Sequence, residues 1–189
     1  IKQEMQSSSD TWENMFLENG PKGILLSGFS KEHMKALTGK TLHEIAEMRG
    51  TSPEDTLMDV IIEDDSPIFT MYFCMSEDNL RKQVIQPWVS FCSDAESQAP
   101  EGAFLKTNPH PRAYGSFARV LGKYVRDEEL MPLEDAIRRL TSFPAANLKI
   151  EDRGLLKSGY FADVVVFDPD KVQDFATPDN PHQYSTGMV

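Results

Sequence analysis

An apolar run that ends abruptly in a carboxylate constrains the fold of this chain more than any other feature. Residues 88–93 (WVSFCS) are mostly apolar or small, and Asp94 follows them directly. A run of this length is typical of a strand covered on both faces, as in parallel sheets. A second apolar run, residues 68–75, precedes it, and a helical pattern lies between the two. The sequence therefore predicts two parallel neighbouring strands joined by a helix, which is an α/β arrangement.

The helices are predicted from capping residues and apolar periodicity. Gly50 is the expected C-cap of a helix that begins near Lys40, while Ser52 and Ser76 are expected N-caps. The second helix carries an apolar stripe at positions 57, 58, 61 and 62. Further helices are predicted over residues 116–129, from 132 to 140 and over 144–148, with Ser116 as a natural N-cap. A strand is predicted over 160–167 and a short one over 24–26, whereas most of the first thirty and last twenty residues are predicted to be loop.

Composition excludes several classes of protein. With 40% hydrophobic and 26% charged residues the chain can build a core. A net charge of -11 argues against a nucleic-acid partner, and no apolar run is long enough for a membrane span. Cys74 and Cys92 lie in apolar runs and are predicted to be buried and unpaired, which favours a reducing, cytoplasmic location. Because the chain begins at Ile1 and ends as another strand pattern starts, we expect a fragment of a longer protein.

Four motifs carry a family resemblance: Ser93-Asp94, residues 110–117 (HPRAYGSF), residues 119–126 (RVLGKYVR) and residues 153–168. Together they resemble the carboxyl-terminal portion of N-acyl-D-amino-acid deacylases (D-aminoacylases) of the amidohydrolase superfamily. The resemblance covers about residues 40–189. Residues 154–168 resemble amidohydrolases at large, whereas the HPRAYGSF segment resembles the D-aminoacylase branch. One departure is Ala95, where members of that family often have glycine.

The resemblance implies an α/β fold. Residues 1–149 would form the last units of a metal-dependent (β/α)8 TIM-type barrel, and residues 150–189 part of a small β-sandwich. It also implies a zinc cofactor, whose main ligands we expect upstream of this chain. The histidines at positions 33, 43, 110 and 182 are scattered and form no His-x-His pair. Asp94 is the one candidate metal ligand within these residues.

The resemblance also implies roles for three residues. Asp94 would act as a catalytic general base and then acid, taking a proton from a zinc-activated water and passing it to the leaving nitrogen. Arg112 would bind the α-carboxylate of the substrate through two parallel hydrogen bonds. His110 would line the substrate pocket. The structural alternatives are a helix cap for Asp94, an ion pair holding the loop for Arg112, and a brace within that loop for His110.

The predicted function is zinc-dependent hydrolysis of the amide of N-acyl-D-amino acids to a carboxylate and a D-amino acid, with this fragment inactive alone. Two alternatives stay open at this point. A cyclic-amide hydrolase, similar to dihydropyrimidinases and hydantoinases, would share the motif at residues 154–168 but would not account for the HPR loop. A non-catalytic fragment would expose sheet edges and self-associate.

Overall fold

The computed structural model describes residues 1–189, which form two compact units. The first comprises Ile1–Met75 and Glu101–Pro109, and the second comprises Ser76–Pro100 and His110–Val189. The boundary expected near residue 150 stays a prediction, because it concerns domains of a longer fold. No helix has the length and apolar character needed to cross a membrane.

The first unit contains a three-stranded antiparallel sheet with the strand order β2-β1-β3. Strand β1 (Ile24–Gly28) is buried along its whole length and pairs with β2 (Lys40–Thr41) and β3 (Phe69–Tyr72). Leu25 lies opposite a residue of each neighbouring strand. The predicted parallel pairing of residues 68–75 with 88–93 is therefore wrong. Strand β3 finds its partner in β1 and leaves its outer face exposed.

The first unit also contains helices α1 (Lys2–Met5), α2 (Met15–Asn19), α3 (Leu42–Arg49) and α4 (Pro53–Asp64). Three 3-10 helices, Pro21–Gly23, Glu32–Leu37 and Gly102–Lys106, complete it. The predicted caps of α3 and α4 are confirmed. Gly50 adopts the left-handed conformation after α3, and the Ser52 hydroxyl accepts a hydrogen bond from the Asp55 amide at the start of α4.

The buried side of α4 differs from the predicted stripe. It consists of Thr56, Val60 and Asp64, whereas Ile61 and Ile62 are exposed. The buried Asp64 carboxylate accepts hydrogen bonds from backbone amides that follow β1, so a polar contact decides which side of the helix faces inward.

The second unit is mainly helical. Its helices are α5 (Glu77–Val84), α6 (Arg112–Arg119), α7 (Leu133–Leu140) and α8 (Ser142–Asn147), and α6 continues into a π-helical segment, Val120–Asp127. Buried side chains from these helices, Met131 and Val172 form its core. The predicted start of the fourth helix at Ser116 is wrong. Helix α6 begins at Arg112, and the Ser116 hydroxyl donates back to the Arg112 carbonyl instead of capping the helix.

Most of the strand predicted in the second unit is absent. Residues 88–93 form no strand, and strand-like pairing within 160–167 is confined to its end, where Val166 exchanges two backbone hydrogen bonds with Val189 and Phe167 forms an isolated bridge to Met188. Cys74 and Cys92 are both exposed, so their predicted burial is wrong. The reason is common to these segments. An apolar run becomes a buried strand only where a neighbouring strand and a covering layer both exist, and in this chain these residues lack that combination.

Two glycines allow a close approach of backbone at Val172. A Cβ at Gly122 would lie 2.7 Å from the Val172 carbonyl oxygen, and one at Gly187 would lie 2.5 Å from the Val172 amide nitrogen. Gly187 also has a φ of 83°, in the left-handed region. A side chain at either glycine would therefore collide with the backbone at Val172.

Candidate active site

Asp94 lies at the end of the apolar run, in an unusual backbone conformation. Its φ is 49°, in the left-handed region, which aspartate tolerates better than most residues because its short polar side chain forms local hydrogen bonds. Its amide donates to the Cys92 sulfur at 3.4 Å. Ala95 is not among the residues with positive φ, so alanine fits the backbone after the aspartate without strain. The turn directs the Asp94 carboxylate into solvent, with 83% of the side chain exposed.

Arg112 is the first residue of α6 and forms an ion pair with Asp94. Its Nη2 lies 2.9 Å from the Asp94 Oδ2. Both side chains are exposed, so the pair is weak, about 1 kcal/mol or less, and water or another anion can exchange with either partner. The structure therefore brings together two of the three residues predicted from the sequence, which are eighteen positions apart in the chain.

His110 lies in the turn that leads into α6. Its Nδ1 accepts a hydrogen bond from the Arg112 amide at 3.1 Å, and its carbonyl accepts one from the Ala113 amide. Partial desolvation by neighbouring protein atoms, and then the positive charge of Arg112, lower the pKa of His110. A ring that accepts at Nδ1 and stays neutral carries its proton on Nε2, where it can donate outward. In this geometry His110 braces the turn that carries Arg112.

The carboxyl-terminal segment contacts α6. The Ser185 hydroxyl donates to the Tyr114 carbonyl at 2.7 Å, and the Tyr184 ring packs edge-on against Tyr114 with centroids 5.6 Å apart. A Cβ at Gly115 would lie 3.2 Å from the Asp174 side chain. These contacts hold the helix turn next to Arg112. Sequence reasoning missed Asp174 and Ser185, because they lie in a segment predicted as loop and no local pattern marks them.

A known protein family matches a stretch of the chain that includes the motifs around Asp94 and Arg112. The amidohydrolase family matches residues 10–188, which is nearly the whole chain. The chain belongs to the amidohydrolase family. The match includes the Asp94 turn, the segment around Arg112 and the bridge near Phe167.

Relatives of this amidohydrolase chain include a D-aminoacylase and an N-acyl-D-glutamate deacylase. It is 38% identical to the D-aminoacylase of Alcaligenes xylosoxydans xylosoxydans over 152 residues, which are 80% of this chain and 29% of that protein. It is 43% identical to the N-acyl-D-glutamate deacylase of the same organism over 122 residues, 65% of this chain and 24% of that protein. These relatives confirm the resemblance seen in the sequence.

A solved structure shares the fold. It is the N-acyl-D-glutamate deacylase from Bordetella bronchiseptica, complexed with zinc and a phosphonate inhibitor that mimics the tetrahedral intermediate of the reaction. The TM-score is 0.76 at 35% identity, and the match covers 93% of this chain and 34% of that one. The chain thus has an amidohydrolase-type fold, and it spans about a third or less of the length of the relatives it matches.

This chain does not by itself contain a metal site. No group of three or more His, Cys, Asp or Glu side chains is arranged to hold a metal ion. Asp94 has Arg112 as its charged neighbour, and a cation at that position supplies no ligand. The residues present therefore do not fit a zinc site on their own.

Proposed function

We propose that these residues are the carboxyl-terminal part of a zinc-dependent N-acyl-D-amino-acid deacylase, which hydrolyses the amide to a carboxylate and a free D-amino acid. The observation that carries the proposal is the 2.9 Å contact between Asp94 and Arg112. The curated relatives support the substrate class, and the zinc-bound relative supports the cofactor. In the longer protein the chain would supply the last units of a (β/α)8 barrel and part of a β-sandwich, and the zinc ligands would lie upstream.

The distance between Asp94 and Arg112 suits one small substrate. In an N-acyl amino acid only the Cα atom separates the amide nitrogen from the carboxylate carbon, so those two atoms are about 2.5 Å apart. A group that binds the carboxylate and a group that delivers a proton to the nitrogen must therefore be neighbours. A guanidinium and a carboxylate within contact distance meet this requirement. A cyclic amide without a free carboxylate would give Arg112 no such role.

The ion pair also suggests how the substrate prepares the site. The α-carboxylate of the substrate competes with Asp94 for the guanidinium and can engage it through two parallel hydrogen bonds. Binding would release Asp94 to accept a proton from water as the water oxygen bonds to the amide carbon. Asp94 would then pass that proton to the nitrogen as the carbon–nitrogen bond breaks. His110, neutral and bonded to the Arg112 amide, would keep the turn in place.

The first test measures amine release by the longer protein that contains this chain, loaded with zinc, from paired N-acetyl-D- and N-acetyl-L-amino acids. We expect activity on the D-series, and we expect Asp94→Asn to lower kcat about a thousandfold. Asn keeps the size of the side chain and tolerates the left-handed backbone, so folding is preserved. Activity on neither series, or a kcat indifferent to Asp94→Asn, would contradict the proposal.

A second test isolates Arg112. Each N-acetyl-D-amino acid is paired with its carboxamide, which lacks the negative charge. We expect Arg112→Ala to raise KM for the acid about a hundredfold, roughly 3 kcal/mol, and to leave KM for the carboxamide nearly unchanged. Arg112→Lys is the matched control, because it keeps the charge but loses the two-pronged geometry. Equal effects on both substrates would mean that Arg112 acts only as a structural ion pair.

We also propose that this chain alone, as purified residues 1–189, releases no amine. It supplies the proton-transfer and carboxylate-binding groups but not a metal cluster. The measurement is amine release by the isolated chain with added zinc, next to the longer protein. Activity of the isolated chain would place a complete site within these residues.

A further inference from the structure

Two adjacent arginines of α7 bind the backbone that leads to Asp94. Arg139, which has no exposed side-chain surface, donates from Nε to the Val89 carbonyl at 2.6 Å and from Nη1 to the Val84 carbonyl at 2.7 Å. Arg138, which is partly exposed, donates from Nη2 to the Pro87 carbonyl at 2.9 Å. Three carbonyls within six residues are thus bound by side chains of a single helix.

Burial of the Arg139 guanidinium in this position is energetically unfavourable by itself. Removing it from water carries a large desolvation penalty, and its nearest acid, Asp135, lies 3.6 Å away and is itself partly exposed. Desolvation lowers the pKa of Arg139. Its Nη2 is buried without a hydrogen-bond partner. An apolar side chain of similar volume would fill the space at less cost, so the compensation must come from what the guanidinium contacts.

Those contacts take the place of strand pairing for the segment that leads to Asp94. Residues 88–93 have no strand partner, and within them only the Val89 amide donates to another backbone group, in a turn to Gln86. The Phe91 ring lies under the Arg139 guanidinium, with the Arg139 Cζ 4.6 Å from the ring centroid. Arg139 thus contacts the segment at Val84, Val89 and Phe91. Phe91 lies three residues before Asp94. Neither α6 nor Arg112 appears among the contacts of Arg139.

We propose that Arg139 is a positioning residue for Asp94. It holds residues 84–91 from one side and thereby sets where the Asp94 carboxylate lies, without touching substrate itself. The inference rests on the proposed function for the role of Asp94. Arg112 is positioned by other contacts, those of α6 with Asp174 and Ser185. A change at Arg139 should therefore disturb proton transfer by Asp94 more than carboxylate binding by Arg112.

The test compares Arg139→Met and Arg139→Lys with Arg138→Ala in the zinc-loaded longer protein. Met keeps most of the volume and loses both carbonyl contacts, and Lys keeps the charge but cannot reach two carbonyls with a planar fork. We expect kcat to fall about a hundredfold for Met and about tenfold for Lys, because small displacements of a catalytic group have effects of this size. KM should stay within about twofold. Arg138→Ala, at the exposed neighbour, should change kcat less than about threefold.

A double-mutant cycle separates positioning from general stability. In the Asp94→Asn background, Arg139→Lys should have no further effect on kcat, because Arg139 acts through Asp94. Additive losses, or a kcat that stays at the wild-type value while the melting temperature falls, would overturn the inference. If Arg139→Met does not fold, the Lys cycle decides.

Hydrogen exchange keeps this inference distinct from the proposed function. Exchange at the Val89 amide, which donates to the Gln86 carbonyl, should quicken at least about tenfold in Arg139→Lys and not in Arg138→Ala. Unchanged exchange would overturn the positioning role. If the wild-type protein shows no activity on N-acetyl-D-amino acids while exchange changes as expected, the proposed function fails and the role of Arg139 in ordering this segment stands.

Discussion

Strand β1 and residues 88–93 are both short apolar runs, but their backbones are held in different ways. Strand β1 pairs on both edges, and the buried Asp64 carboxylate accepts hydrogen bonds from the amides just after it. Residues 88–93 have no paired edge, and buried Arg139 donates to carbonyls at and before their start. An apolar run therefore predicts that a segment is buried against other parts of the protein. It does not predict which groups satisfy its backbone, although every buried amide and carbonyl needs a partner.

The largest expected difference between the two segments is in hydrogen exchange. Amides of β1 should exchange at least about a thousandfold more slowly than those of residues 90–93, because the former open only with the sheet and the latter have no backbone acceptor. Mass spectrometry of short peptides from the longer protein measures this ratio. Similar rates would mean that residues 88–93 have strand partners in that protein, and the contrast between the segments would disappear.

The next largest effect is expected for Leu26→Ala. Leu26 is buried at the centre of β1, and its truncation should lower the free energy of unfolding by about 3 kcal/mol. Urea denaturation followed by fluorescence provides the measurement. Ile62→Ala is the control in the same unit, because Ile62 is exposed and should contribute less than about 0.5 kcal/mol. Equal losses for the two variants would contradict the assigned core.

Asp64→Asn tests the polar support of β1. Burial alone raises the pKa of Asp64, but hydrogen bonds from the Lys31 amide, the Ser66 hydroxyl and the Ser30 amide outweigh it, so the pKa lies below its ordinary value of 3.8. Stability from this carboxylate is thus fully present above that value and is lost as pH falls through the lower pKa of the folded state. We expect a loss of about 2 kcal/mol at pH 7.

The difference between Asp64→Asn and wild type should shrink as the pH falls below 4, in urea titrations across that range. Asp65→Asn is the matched control. Asp65 is exposed and left-handed, and asparagine tolerates that conformation, so its replacement should leave stability nearly unchanged. A loss for Asp64→Asn that does not vary with pH would point to packing instead of charge.

The smallest expected effect on stability is within residues 88–93. Trp88 is 69% exposed in spite of its size, so Trp88→Ala should change the free energy of unfolding by less than about 0.5 kcal/mol in residues 1–189. Thermal unfolding detects a larger change easily. A loss above about 2 kcal/mol would show that the indole is buried and that residues 88–93 resemble β1 after all.

Three of the four helix caps predicted from the sequence were correct, Ser116 being the exception, whereas the partners of the predicted strands were wrong. Gly50, Ser52 and Ser76 mark helix ends correctly because a cap needs only its own turn. The strand at residues 88–93 and the burial of Cys92 were wrong because each requires a neighbour that no local pattern specifies.

The same limit applies to the site. Asp94 and Arg112 were identified through motifs, and the structure brings them into contact. Arg139 was passed over because periodicity counts apolar positions, and a charged residue next to the apolar stripe of α7 is normally assigned to solvent. Only the tertiary structure reveals that this arginine is buried.

Two glycines closely approach the backbone at Val172, Gly122 at its carbonyl oxygen and Gly187 at its amide nitrogen. A methyl group at Gly187 would press on the peptide between Lys171 and Val172, and one at Gly122 would press on the Val172 carbonyl oxygen, so both would displace backbone atoms. Sequence libraries built on this chain should therefore keep both glycines constant and direct their diversity to the apolar residues at 164–166, each of which is more than half exposed.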